Sequence, residues 1–468
     1  MHVGALAILE LGAFARADGS LDTARFAGYV ESRFDELPRC RQRLAFTPVT
    51  RHPVWVDDGD FRLDRHIREA RLDAPGGDAA LARLADSIFS APLERGRPLW
   101  EIVVVQGLAD RGRFAAICKF HHAMIDGIAG MDFISQILTF GAREAPDATA
   151  AWQPKPAPGA PRLLAGELRH YASAAPRLAR ALGRLTTDGG SRSRLRERTL
   201  ALVRFFSSGI LGTSRTSLSA SPCRERSFRW FATSRADERS VRSRLGGSRD
   251  DVALAVATGA LRQLLLHAGA KLRRLRVKAM NPVNVRSTGE RGDLGNRVSM
   301  LIVGLPVAEP DAARRLEAVT ATTARLRASN HGLGVDVLAQ IDEWLPASLA
   351  QRSSMWLATR VRAYNVVVTV IPGPSSHLYA LTSRLMALYP LAPVFAGQHI
   401  NIAALTYLDA VHWGVHYAGA DAAEAERLVA DLRASFDELV AAAAEASPRI
   451  AVVPAAEAAE PEAARRAT

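Results

Sequence analysis

The chain has 468 residues, of which 48% are hydrophobic, enough for a sizeable buried core and for two or three domains of ordinary size, so disorder of the whole is excluded. Sixty Lys+Arg against 48 Asp+Glu give a net charge of +12, which favours anionic partners: nucleic acid, acidic lipid head groups or phosphate-bearing molecules. The three cysteines, Cys40, Cys118 and Cys223, lie far apart without metal-ligand spacing. That argues against a disulfide framework and a structural zinc site, and fits a reducing, cytoplasmic compartment.

The opening MHVGALAILELGAFA has no basic lead-in and is interrupted by Glu10, which argues against a signal peptide. A strand-like apolar segment starts at residue 3, as though residues ahead of it were missing. Residues 1–150 then alternate apolar runs (PVWV, EIVVVQGL, RFAAICKF) with helical spacing over 22–36 and 79–91, a mixed α/β pattern ending in a helix, GMDFISQILTF. AWQPKPAPGAP at 151–161 reads as a linker. It opens a 151–223 connector whose arginines and leucines interleave at helical spacing over 162–206, a basic amphipathic segment suited to a solvated helical pair or to an anionic lipid surface. Few aromatics accompany those arginines, which weighs against nucleic acid. From 224 to 445 the mixed pattern resumes, with a helix at 249–268, strands near LRVKAMNPVNV, RVSMLIVGLP, YNVVVTVI and INIAALTYL, and a helix at 421–443. Residues 446–468, rich in Ala, Glu and Pro, read as a disordered tail. No run of about 18 apolar residues suggests a membrane-spanning helix.

KFHHAMIDG at 119–127 closes the RFAAICKF strand. A loop at the end of a rigid strand can hold and expose a reactive group, and an imidazole accepts a proton near neutral pH without a large shift. Asp126, four residues beyond His122, can turn back to fix the loop or the tautomer, and Gly127 lets the chain bend into the next helix. A lone loop histidine is more often structural, but the full H-H-x-x-x-D-G string is a stronger signal.

HHAMIDG resembles the signature of the acyltransferases related to chloramphenicol acetyltransferase and the peptide-synthetase condensation domains. PLERGRPLWEIVVVQGL, with Pro98, Leu99 and Trp100, together with MHVGALAI, VNVRS at 283–287, GNRVSMLIVGLP at 295–306 and PGP at 372–374, is similar to the bacterial wax ester synthase/diacylglycerol acyltransferase family in motif and order. The resemblance spans residues 1 to about 440. It implies a two-lobed α/β fold of the chloramphenicol acetyltransferase type, with mixed sheets, flanking helices and a channel between lobes. It also implies an acyl-CoA-dependent O-acyltransferase that makes triacylglycerol from diacylglycerol or wax ester from a fatty alcohol. His122 would be the general base, with Asp126 holding the loop through Arg286 and with His121 and Gly127 in support. Pro98, Leu99 and Trp100 would be either core or channel wall, and Asn296 and Ser299 either polar contributors at the substrate or strand-end caps. Long-chain acyl-CoA is a co-substrate; no metal and no resident cofactor are implied. Lipid-borne substrates imply peripheral contact with a membrane or lipid droplet.

Two positions depart from the family pattern. Its Asn-Asp pair appears as Asp250-Asp251, and its Ser/Thr-Asn-Val-Pro-Gly-Pro motif as Thr369-Val370-Ile371-Pro372-Gly373-Pro374. Each replaces an amide near the expected meeting of the lobes. Two alternatives stay open: a condensation-type enzyme with a carrier-protein donor, and a non-catalytic homologue that binds acyl-CoA or coats lipid droplets.

Overall fold

The computed structural model describes residues 2–124, 134, 136–145, 152–172, 213–214, 216, 218, 225–284, 298–328, 349, 352, 363–395, 398–419 and 421–446, with the side chains of 283, 284, 298 and 299 set aside. In chain order its strands are β1 (His2–Glu10), β2 (Gln42–Phe46), β3 (Pro53–Asp57), β4 (Ile67–Arg71), β5 (Trp100–Gln106), β6 (Arg113–His121), β7 (Arg226–Ser234), β8 (Val277–Asn284), β9 (Val298–Leu305), β10 (Val366–Ile371), β11 (Tyr379–Ala380), β12 (Ser383–Leu391), β13 (Ile400–Tyr407) and β14 (Ala410–Ala418). The helices are α1 (Thr23–Ser32), α2 (Asp78–Ser90), α3 (160–172), α4 (Arg235–Leu245), α5 (Arg249–His267), α6 (Ala312–Ala328) and α7 (Ala422–Glu445).

The strands form two six-stranded mixed sheets, ordered β11-β12-β1-β6-β5-β4 and β7-β14-β13-β10-β8-β9, with β2 and β3 as a separate hairpin. In the first sheet β6 is central and buried on both faces, so its sequence is a nearly continuous apolar run. Phe114, Ala116 and Phe120 join a cluster with Phe14, Phe26 and Tyr29. Ala115 and Ile117 face the other way, onto Leu81, Ala85, Ile88 and Phe89 of α2. The second sheet is covered by α5, in which every residue from Asp251 to Leu261 is buried. Over that stretch the helix has no solvent face and shows little amphipathic contrast. α7 instead buries one stripe: Ala425, Leu428, Leu432, Phe436, Leu439 and Ala443.

The sheets do not follow the division of the chain at 224. β12 pairs antiparallel with β1 from Gly4↔Leu391 to Leu9↔Leu385, so a segment of the second half completes the first sheet. It also lies against β13 and β14 of the second. A Cβ on Gly414 of β14 would stand 1.8 Å from the Pro390 carbonyl oxygen of β12, so only glycine permits that approach of backbones. Gly373 is confined likewise, 2.1 Å from the Thr406 carbonyl oxygen, which makes the Pro-Gly-Pro segment a packing element.

Of the connector expected at 162–206, residues 162–172 are helical and the rest lies outside the described residues, as does the tail beyond 446. Of the helix expected at 130–140, residues 134, 136 and 137 are described and helical.

Candidate active site

β5 and β6 bring the two N-terminal motifs side by side. Trp100 is paired with Phe120, and the His121 N–H donates to the Leu99 carbonyl at 2.9 Å. β6 then ends in a β-turn, closed by Met124 N–H donating to the His121 carbonyl at 2.9 Å. His122 occupies the second position of that turn, half-buried, with its ring centroid 6.4 Å from that of Phe395. Phe395 belongs to the segment that leaves β12 for β13, so His122 stands where the first sheet meets the chain running into the second.

His121 shapes this turn. The Ala123 N–H donates to its Nδ1 at 3.2 Å, so that nitrogen carries no proton, and burial pushes the imidazole down to about 4. The neighbouring His2 ring meets it edge-on at 6.4 Å and is pushed to about 3 by burial, followed by the charge of Lys119.

Lys119 escaped notice in the sequence. Its ammonium is fully buried and donates to the Ile88 carbonyl (2.6 Å), the Ala91 carbonyl (2.6 Å) and Glu101 Oε1 (2.8 Å). Two of these acceptors lie at the C-terminal end of α2, where free carbonyls and the helix dipole favour a cation. Arg68 holds the other Glu101 oxygen at 2.7 Å. The lysine therefore fastens helix, β5 and β6 together two residues before the turn. Its signal was a single charge inside a run of buried residues, which requires a built partner.

The segment carrying Phe395 is fixed from the second sheet. Asn401 and His416 are directly paired across β13 and β14. The Asn401 amide donates to the Pro393 carbonyl at 2.6 Å, and His416 Nδ1–H to the Ala392 carbonyl at 2.8 Å. Both side chains are buried, and their remaining atoms, Asn401 Oδ1 and His416 Nε2, are acceptors with no hydrogen-bond partner among the described residues. Neither can serve the other.

Trp100 takes the core reading. It is 1% exposed, its indole N–H donates to the Cys40 carbonyl at 2.8 Å, His66 stacks on it at 4.7 Å, and Phe34 meets it edge-on. Pro98 and Leu99 are buried beside it. All three are packed in the protein interior. Ser299 is paired through its backbone with Val283. Its side chain, Asp126, Gly127, Arg286 and Asn296 lie outside the described residues.

The two departures have structural counterparts. Asp251 closes a capping box with Ser248 at the start of α5 and accepts from Thr323 Oγ1 of α6 at 2.6 Å. Asp250 accepts from the Asn281 amide of β8 at 3.2 Å, and burial pushes its carboxyl above the usual range. Val370 packs on the core of the second half.

A family model described as the wax ester synthase/diacylglycerol acyltransferase catalytic domain matches residues 1–253, and one described as the WS/DGAT C-terminal domain matches 294–440. The chain belongs to this family. A Mycobacterium tuberculosis protein provisionally named a diacylglycerol O-acyltransferase is 31% identical over 436 residues, covering 90% of this chain and 89% of the relative. Another from the same organism, named in the same way, is 30% identical over 412 residues, covering 85% and 78%. In structure the chain is similar to the wax ester synthase/diacylglycerol acyltransferase of Marinobacter aquaeolei VT8 (TM-score 0.65, 22% identity, 95% of each chain covered). It also shares its fold with the first condensation domain of the calcium-dependent antibiotic synthetase (TM-score 0.56, 16% identity, 96% and 92% covered). The two-lobed α/β acyltransferase fold is thus established, and the protein is an acyltransferase of this family.

Replacing Lys119 by Met strips two helix-end carbonyls and Glu101 of their donor, and is expected to cost about 3 kcal/mol of stability, measured by chemical denaturation. The buried histidines predict an acid dependence. Burial pushes His412 and His416 each down to about 4, so the unfolded chain takes up their protons below about pH 6.5 while the folded chain stays neutral until about pH 4. Their contribution is complete above about pH 6.5 and is lost as pH falls toward 4, on the order of 2 kcal/mol each by pH 5. Denaturation midpoints compared at neutral and mildly acid pH should fall, and His416→Gln, which keeps a donor for Ala392, should flatten the slope.

Proposed function

We propose that this acyltransferase moves a long acyl chain from acyl-CoA to the hydroxyl of diacylglycerol, of a fatty alcohol, or of both. The observation that carries the reading is the position of His122: second in a tight turn at the end of a buried strand, beside Phe395, at the seam of the two sheets. The names of the mycobacterial relatives and of the Marinobacter enzyme support the two product classes.

In the proposed step the His122 imidazole accepts the hydroxyl proton as the alcohol oxygen attacks the thioester carbonyl. The tetrahedral intermediate then collapses, the C–S bond breaks, and the imidazolium returns the proton to the CoA thiolate. Base catalysis of this kind contributes about 10²–10⁴-fold, the remainder coming from positioning and from donors to the oxyanion. No acyl-enzyme is needed, so no nucleophilic Ser or Cys is assigned. Burial pushes the Cys118 and Cys40 thiols up to about 12, the wrong direction for a nucleophile. Asp126, with Arg286 as its partner, is assigned the loop-holding role, and Asn296 and Ser299 remain assigned to the substrate's polar groups. Apolar burial along the acyl chain supplies roughly 0.8 kcal/mol per CH₂.

The test is product formation from labelled palmitoyl-CoA with dioleoylglycerol or hexadecanol. Wild-type protein is expected to form neutral lipid, His122→Ala to lose at least about 100-fold in kcat, and Asp126→Asn to lose activity with it. A folded wild type that is silent with both acceptors, yet active with an acyl-carrier-protein donor, would transfer the reading to condensation chemistry.

A further inference from the structure

Seven large hydrophobic side chains stand exposed among the described residues, and four of them fall on two short segments: Phe46 and Val49 at the β2–β3 hairpin, and Leu164 and Leu168 on α3. Val49 is 71% exposed and Leu168 64%. Glu167 joins the segments. Its carboxylate accepts from the N–H groups of Val49 (3.2 Å) and Thr50 (2.6 Å) and from the hydroxyls of Thr47 and Thr50. Leu164 and Leu168 stand one turn apart on the same helix, both to one side of that carboxylate.

The same segments are strongly basic. Residues 39–58 and 152–172 hold seven arginines and lysines against three acids: Glu167 is buried in its hydrogen bonds to the hairpin, Asp58 lies 3.6 Å from Arg43, and Asp57 of β3 accepts from the Lys155 backbone N–H. The Arg51 guanidinium lies 5.2 Å over the Phe46 ring and that of Arg39 4.5 Å over Trp55. Arg51, Arg162 and Arg169 are exposed, and among the described residues none forms a salt bridge.

We propose that the hairpin tip and α3 form one docking face for an anionic bilayer, with Phe46, Val49, Leu164 and Leu168 entering the boundary between head groups and acyl chains and Arg51, Arg162 and Arg169 meeting lipid phosphates. A cationic face with an apolar centre is what such a surface attracts. A second copy of the chain would set like charge against like. Nucleic acid would engage the arginines and leave four large apolar side chains in water. Among the described residues no helix is long and apolar enough to cross a membrane, so these segments would meet lipid from one side. The hairpin is tied to the strands that carry the turn: β2 begins two residues after Cys40, whose carbonyl holds Trp100, and the Leu99 carbonyl beside Trp100 holds His121. The proposal deepens the reading of an enzyme with lipid-borne substrates by naming the face that meets them.

The test is flotation of the full chain with phosphatidylcholine vesicles, with and without phosphatidylglycerol, across a salt series. Wild-type protein should float with the anionic vesicles and be released by salt. Val49→Asp combined with Leu168→Asp should abolish flotation. Arg51→Ala, Arg162→Ala and Arg169→Ala together should weaken it about 100-fold, about fivefold for each arginine. Leu266→Asp, at an exposed leucine of α5 away from this face, should float like wild type. Thermal unfolding should be the same for all, since the changed side chains are at the surface. Turnover of a water-soluble short-chain acyl-CoA with a short alcohol should also be unchanged, which separates failure of docking from failure of the catalytic reading. Equal flotation with neutral vesicles, no effect of the aspartates, or an equal effect of Leu266→Asp would each overturn the docking face. Binding to a soluble polyanion that survives the aspartates, with no vesicle binding by wild type, would reduce it to a charge patch and overturn it as well.

Discussion

The pairing of β12 with β1 is the constraint on which the rest of the structure depends. It joins residues some 380 positions apart, from Gly4↔Leu391 to Leu9↔Leu385. Closure entropy grows only logarithmically with loop length, so this distance is less costly than it looks, and the buried Leu385, Leu388 and Leu391 offset it. Because β1 also pairs with β6 along its whole length, the far end of the chain is hydrogen-bonded one strand away from the strand that carries the histidines. Because the residues after β12 include Phe395, the same crossing places one wall beside His122. The site cannot form in the first half alone.

A seam of this kind creates a polar problem. Strands that stop at a buried junction leave backbone groups without ladder partners, and a buried carbonyl needs a donor. The chain answers with side chains: Lys119 for Ile88 and Ala91, Asn401 for Pro393, and His416 for Ala392. Each answer desolvates a group that prefers water. Lys119 keeps its charge through Glu101, itself shared with Arg68, whereas His416 stays neutral. Cationic and neutral donors thus do equivalent work on opposite sides of the seam, according to whether a carboxylate is within reach.

This arrangement explains what could be read in the sequence. β6 and β10 are buried strands written as apolar runs, α2 and α7 carry clear helical stripes, and the histidines of HHAMIDG stand at the end of β6, where the apolar run stops. β14, AVHWGVHYA, was missed because His412 and His416 look polar while burial makes them core residues. β12 was missed for a related reason. Its Arg384 and Pro390 break the apolar pattern, one meeting Glu10 of β1 and the other lying against Gly414. Their partners are hundreds of residues away, so no local period reveals them. Trp100 admitted both a core and a channel-wall reading because a large aromatic suits either, and its partners Cys40, His66 and Phe34 lie on distant segments that no local pattern reveals. The Asp250-Asp251 departure has a partner that the sequence did not reveal, since the Asp250 carboxylate accepts from the Asn281 amide of β8.

The placement of charge follows from the same division between seam and surface. At the seam every ion is consumed: Lys119 by Glu101, and Arg229 by Asp86 at 3.0 Å across β7 and α2. A charge that has to be compensated contributes nothing to the outer field. The hairpin and α3 carry arginines of the other kind: Arg51, Arg162 and Arg169 are exposed and, among the described residues, form no salt bridge. Glu167 is the telling residue, because a carboxylate among arginines would ordinarily cancel them. Instead it turns inward to order the hairpin, where Phe46 and Val49 are exposed, as are Leu164 and Leu168 on its own helix. Arginines gathered near exposed leucines, with Glu167 withdrawn into the hairpin, give that surface both charge and apolar area, the combination on which the proposed docking to an anionic bilayer rests.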